Sequence, residues 1–278
     1  MPVSLVAEGS IHRDPPTAPA TSGIIGIDGA GGAHGYRPSL RSMTDLLASI
    51  RNEAVALADA AERDLLAPIA RYPGWTELDL LVHTGSVHRR TTETIRTAAT
   101  ERIGRFFPPD EEPATVRLWF REGAEEMATV LEGADPDMRV WGFGPEPGVR
   151  AWTVRMALET VVHRWDAERA VQDASPVDAD LAVLGIEEFA ALWSGVIELG
   201  GDAVPLCLRA TDTGDAWILA PADRGVSFSR GEADERVSGT ADALYRWLLG
   251  RADLAELQAD ADVEIWHRAF RALPDARR

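Results

Sequence analysis

The chain has 278 residues, 45% hydrophobic and 26% charged, the balance of a soluble globular protein long enough for two domains. A formal net charge of -17 argues against nucleic acid as a partner, because a phosphate backbone demands a basic face. All 28 basic residues are arginine, which points to a GC-rich genome and removes lysine Schiff-base and lysine general-base chemistry.

The single cysteine, Cys207, leaves no intrachain disulfide, and it sits in an apolar strand pattern that suits a core residue better than a nucleophile. No apolar run approaches the roughly 18 residues of a membrane span, and no signal-peptide pattern opens the chain. A cytoplasmic protein with no membrane partner is expected.

Residues 1–39 are rich in proline, glycine, alanine and serine without hydrophobic period, and read as a flexible N-terminal tail. The glycine run at 26–32 lacks the spacing of a phosphate loop. From Met43 the residues Leu46, Leu47, Ile50, Ala54 and Leu57 recur at helical spacing, and Pro68 marks the end of that first helix. Thr76, with Asp79 three positions on, predicts the N-cap of a second helix running to about Thr100. Pro108, Pro109 and Pro113 precede a third, with the stripe Val116, Trp119, Phe120, Gly123, Met127, Val130 and Leu131. Gly133 and Pro136 end it, and a fourth spans about 150–171.

Four such helices with ordinary connections predict a bundle over residues 40–174. After Ser175 a helix at about 178–193 leads into short β-rich runs at 206–210, 216–219, 226–229 and 235–238, then a helix at about 241–249 stopped by Gly250. Residues 175–278 read as a small α+β domain, so the expected fold class is α+β.

On the fourth helix Trp152, Met156, Glu159, His163 and Asp166 follow steps of three or four and share one face. Glu159 and Asp166 face the interior, where an unpaired carboxylate is costly. Glu159 and His163 at i and i+4 can ligate one ion, although the pair also reads as a buried Glu-His hydrogen bond or an exposed helix pair. His83, on the inward stripe with Leu80 and Val87, supplies a second imidazole, or else is a satisfied core histidine.

Two imidazoles and one carboxylate would leave coordination positions open for water or substrate and accept zinc, iron, nickel or manganese. His88, five residues beyond His83, points elsewhere; His12, His34 and His267 carry no assigned role.

The segments 72–83 (YPGWTELDLLVH), 155–166 (RMALETVVHRWD) and 247–251 (WLLGR) resemble the mycothiol-dependent maleylpyruvate isomerase family, whose members are DinB-like metal-binding bundles. The likeness covers about 43–270. Leu158 and Tyr72 stand where many relatives carry a histidine and a cysteine.

The resemblance implies an N-terminal DinB-like four-helix bundle followed by the α+β domain, a zinc site at His83, Glu159 and His163, and functional roles near it for Asp166 and Arg251. Asp166 would orient His163, bind the thiol cofactor or assist proton transfer, or else pair with a neighbouring arginine. Arg251 would clamp a substrate carboxylate, or else be a surface charge at a helix end.

The implied partners are a small-molecule substrate and the low-molecular-weight thiol mycothiol. Its thiol adds to a double bond, the resulting single bond rotates, and elimination follows; transfer of the thiol to another small electrophile is a variant of the same reading. A non-catalytic binding protein with a structural or vestigial metal, and a metal-free bundle with a polar core, are the competing readings. Oligomeric state has no sequence signal.

Overall fold

The structure, a computed structural model, describes residues 42–273 except 202, 234–235 and 260–262. The tail expected over 1–39, with its glycine run, His12 and His34, lies outside the described residues.

Helix α1 spans Met43–Ala61 and α2 spans Glu77–Arg96, and each is opened by a reciprocal capping box, Ser42 with Asp45 and Thr76 with Asp79. The α2 boundary falls short of the predicted residue 100. Ala98 takes φ 47°, and the Ala99 N–H turns back to the Thr94 carbonyl at 3.0 Å, which closes the helix early. Helix α3 spans Pro113–Gly133, with the proline in the first turn where its missing N–H costs nothing. Helix α4 spans Val149–Val171 and is buried around most of its circumference.

Helix α1 packs against α3 and α4, and α2 packs against the same two, giving the expected bundle. Gly85 of α2 permits a close α2–α3 approach, since a β-carbon there would lie 2.4 Å from the Trp119 ring.

Beyond the bundle come α5 (Ala179–Trp193), strands β1 (Leu206–Ala210), β2 (Ala216–Pro221), β3 (Val226–Arg230) and β4 (Arg236–Gly239), helix α6 (Ala241–Leu248), strand β5 (Gln258–Ala259) and helix α7 (Glu264–Arg271). The sheet order is β3-β2-β1-β4-β5, antiparallel except where β1 runs parallel to β4. The α+β class with the helical bundle first agrees with the sequence reading. Strand β5 and helix α7 were not expected: β5 has two exposed residues, and α7 is eight residues whose buried face is Trp266, Ala269 and Phe270.

One hydrophobic core runs from the bundle into the C-terminal half, joining Trp152, Met156 and Leu158 to Leu181, Phe189, Trp247 and Phe270. Burying each such side chain stabilises the fold by about 1.5–3 kcal/mol. The two halves therefore share a packed apolar interface. No helix among the described residues is long and apolar enough to cross a membrane.

Candidate metal centre

The three donors named from sequence converge. His83 from α2 and Glu159 and His163 from α4 are buried, and each offers a ligand atom within 4.8 Å of the others. Glu159 Oε1 lies 3.4 Å from His83 Nε2 and 3.2 Å from His163 Nε2. Donors held at about 2.0–2.1 Å by a tetrahedral zinc ion would stand about 3.3 Å from one another, so these spacings suit a shared ion. The rings of His83 and His163 meet nearly edge to face, with centroids 5.2 Å apart.

The tautomer of His163 follows from its other nitrogen. Nδ1 lies 3.1 Å from Asp166 Oδ2, and an ionised carboxylate can only accept, so the ring proton belongs on Nδ1 and the Nε2 lone pair faces Glu159. Two acceptors at 3.2 Å repel unless a proton or a metal ion stands between them. The electrostatics agree. Burial works against a charged His163, but Glu159 and Asp166 outweigh it and raise its pKa, whereas for His83 burial dominates and the pKa falls. Burial opposes ionisation of Glu159 too, yet Arg155 and the imidazoles hold its carboxyl well below the usual range. The raised pKa of His163 favours a proton on Nε2, between it and Glu159; a divalent ion would take that proton's place, with the ionised carboxylate and two imidazole lone pairs as its donors.

Asp166 and Arg251 join this centre from behind. Arg251 donates from Nε to Asp166 Oδ1 at 2.8 Å and from Nη2 to Oδ2 at 2.7 Å, and Nη2 also reaches the Tyr72 hydroxyl at 2.8 Å. The Nη1 donates to the Leu249 carbonyl at 3.3 Å. Burial disfavours the Asp166 carboxylate, but Arg251 and His163 reverse that and bring its pKa to about 2. The Arg251 side chain is 6% exposed rather than on the surface, with all three guanidinium nitrogens engaged by protein groups. It reaches this position because Gly250, at φ 68°, turns the chain as α6 ends.

Glu159, His163, Tyr72 and Arg251 line a cavity of about 590 Å³ between the bundle and the C-terminal half. Phe143, Trp152, Leu192, Trp193 and Phe270 supply much of its apolar wall. Two charged side chains of this cavity escaped the sequence reading. Arg155 donates to Glu159 Oε2 and, at 2.6 Å, to Glu188 of α5. Arg90 sits on the His83 and Val87 face of α2, at i+7, and lines the cavity. Its Nε has no hydrogen-bond partner among the described residues, and burial together with the charges of Arg102 and Arg105 lowers its pKa.

The histidines set aside from sequence stay apart from the centre. His88 is buried with Nε2 3.0 Å from the Thr160 hydroxyl, and His267 accepts from Trp247 at 2.9 Å. Cys207 is buried in β1.

Residues 46–168 match the family described as the mycothiol maleylpyruvate isomerase N-terminal domain, as the motif resemblance implies. Two solved structures of the mycothiol-dependent maleylpyruvate isomerase, one of them a mutant, superimpose with TM-scores of 0.56 and 0.55 at 12% identity. Each match covers 79% of this chain and 93% of theirs, and identity that low establishes the shared fold. No curated protein sequence gives a significant match.

Proposed function

We propose, from a bundle that carries the mycothiol maleylpyruvate isomerase N-terminal domain, that this chain is a cytoplasmic metalloenzyme using mycothiol on a small electrophile. In this reading the bundle over 40–174 holds a divalent ion, zinc foremost, through His83, Glu159 and His163, and the α+β domain over 175–278 closes the cavity. The reaction is isomerisation of maleylpyruvate type or transfer of the thiol sulfur. The observation that carries it is the convergence of three buried donors at 3.2 and 3.4 Å spacings beside a cavity large enough for a ligand.

When bound, the ion would lower the proton affinity of a thiol placed on it. The chain's own residues do the rest. Asp166 keeps the His163 proton on Nδ1, and Arg251 keeps Asp166 ionised and in place. With its donors so engaged, Arg251 is a positioning residue. The role of receiving a substrate carboxylate falls to Arg90, whose half-buried guanidinium faces the same cavity.

In the isomerase form, the thiolate sulfur bonds to one alkene carbon and the π pair moves to the conjugated carbonyl oxygen. The carbon–carbon single bond rotates, then the pair returns and the sulfur–carbon bond breaks. The thiolate is regenerated and no atom is gained or lost. The apolar wall limits water that would otherwise hydrate the thiolate.

The test begins with elemental analysis of protein purified without chelator or nickel resin, where about one metal per chain is expected. His163→Ala should lose the metal and any thiol-dependent turnover; full metal occupancy in that variant removes the site. Arg90→Gln should cost about 1.5–3 kcal/mol in kcat/KM for a carboxylate-bearing electrophile. An equal loss with the corresponding methyl ester would show that Arg90 does not hold the carboxylate.

A further inference from the structure

The two oxygens of Glu159 have different partners. Oε1 faces His83 Nε2 and His163 Nε2, whereas Oε2 accepts from Arg155 Nη2. Arg155 lies one helical turn before Glu159 on α4, so the i, i+4 spacing brings the pair together. Its second nitrogen, Nη1, is anchored by Glu188 Oε2 at 2.6 Å, and Glu188 belongs to α5, outside the bundle. All three groups are largely enclosed, with side-chain exposures of 23% for Arg155, 8% for Glu159 and 13% for Glu188. In so enclosed a place a fork held at both tines does not swing away at small cost.

A carboxylate on a metal can give one oxygen or two, and the second oxygen occupies a position that a thiol or water would otherwise take. We infer that Arg155, braced by Glu188, restricts Glu159 to ligation through Oε1 and so preserves an open position on the ion for the thiol. The inference rests on the metal reading above. It assigns Arg155 as a positioning residue acting through Glu159, and Glu188 as the brace that carries α5 into the metal centre. Charge makes a second, separable contribution: the guanidinium offsets the Glu159 carboxylate, so removing Arg155 leaves more negative charge to attract a cation. Metal affinity alone therefore does not report the positioning role; coordination number does.

The experiment uses the full chain loaded with cobalt(II) in place of the native ion, and N-acetylcysteine as the thiol probe. The wild-type protein should show the intense visible bands of four-coordinate cobalt and a thiolate-to-cobalt charge-transfer band as the probe is added. Arg155→Lys keeps the charge but lacks the longer planar fork that fixes both carboxylates in one geometry. Arg155→Met with Glu188→Met removes both charges together, so neither is stranded if the single change fails to fold.

Both variants should bind cobalt with the weak bands of higher coordination, and should need on the order of tenfold more N-acetylcysteine to reach half of the charge-transfer band. Visible and thiol spectra indistinguishable from wild type in a folded variant overturn the inference while leaving the metal site intact. Loss of cobalt from the folded double variant also overturns it, because Arg155 would then be building the site rather than restricting it. Failure of the wild-type chain to take up cobalt overturns the metal reading itself.

Discussion

Changing Asp166 to asparagine tests the joint between the two halves of the molecule and the metal centre at once. Asp166 is 4% exposed and accepts from Arg251 at 2.8 and 2.7 Å and from His163 Nδ1 at 3.1 Å. Asparagine keeps the shape but turns one acceptor into a donor. If the amide nitrogen faces Arg251, two donors oppose each other; if it faces His163, the ring proton must move to Nε2, the atom the proposed ion would need. The carboxyl pKa of about 2 against its ordinary 3.8 is worth about 2 kcal/mol of stability.

That stability is present above the ordinary value and is lost as pH falls towards 2. Breaking the buried pair by removing one partner's charge costs about 3–5 kcal/mol, the larger figure including the unpaired guanidinium left behind. Asp166→Asn should therefore lose about 3–5 kcal/mol in urea unfolding of the apoprotein at neutral pH, at unchanged slope. It should also bind zinc about 10–100-fold more weakly in competition with a chelating dye. Zinc affinity within about twofold of wild type would refute the role of Asp166 in fixing the His163 tautomer, because orientation by an outer carboxylate normally shows a larger effect.

Two further predictions concern the helix that brings His83 to the centre. Glu77 in the first turn of α2 is 0% exposed, and both its carboxyl oxygens lack hydrogen-bond partners among the described residues. Burial, aided by Asp166 and Asp64, raises its pKa from 4.5 to about 8. The folded state thus favours the neutral acid, and wild-type stability should fall as pH rises from about 4.5 to 8, by up to about 5 kcal/mol. Glu77→Gln should remove that slope, so the stability gap between variant and wild type widens in urea titrations from pH 5 to 9; parallel curves would rule out a neutral Glu77. Gly85→Ala should drive a methyl against the Trp119 ring and destabilise by about 1–3 kcal/mol, read as a lower melting temperature; an unchanged melt would mean that α2 and α3 separate without cost.

Helical spacing made much of the centre legible. The i, i+3 and i+4 steps from Glu159 to His163 and Asp166 put three functional groups on one face of α4, and the inward stripe of α2 placed His83 opposite. The Thr76 and Asp79 pair was readable because a capping box is local in sequence. What stayed hidden was set by contacts across long stretches of chain. Arg155 and Glu188 are 33 residues apart, and Arg251 meets Asp166 across 85. No periodicity reports such a meeting. Arg251 was named from its motif position, but the geometry makes it a support for Asp166, with its donors occupied. Arg90 shares the His83 stripe, so that spacing carries a signal for it, weakened by the general preference of arginine for the outside. Strand β5 has two residues, too few to alternate, and α7, although Trp266, Ala269 and Phe270 keep helical spacing, lacks the side-chain N-cap that Thr240 gives α6.

The seam along which α4 meets the C-terminal half has a thermodynamic corollary. Two carboxylates of the candidate centre, Glu159 and Asp166, are gripped by arginines that tie it to the C-terminal half, Arg155 through Glu188 of α5 and Arg251 through its own place just after α6. Filling the centre and fastening that seam therefore draw on one coupling free energy, and reciprocity requires each to favour the other equally. Slower amide exchange in α5 and around Gly250 on loading with metal would be the signature of that coupling.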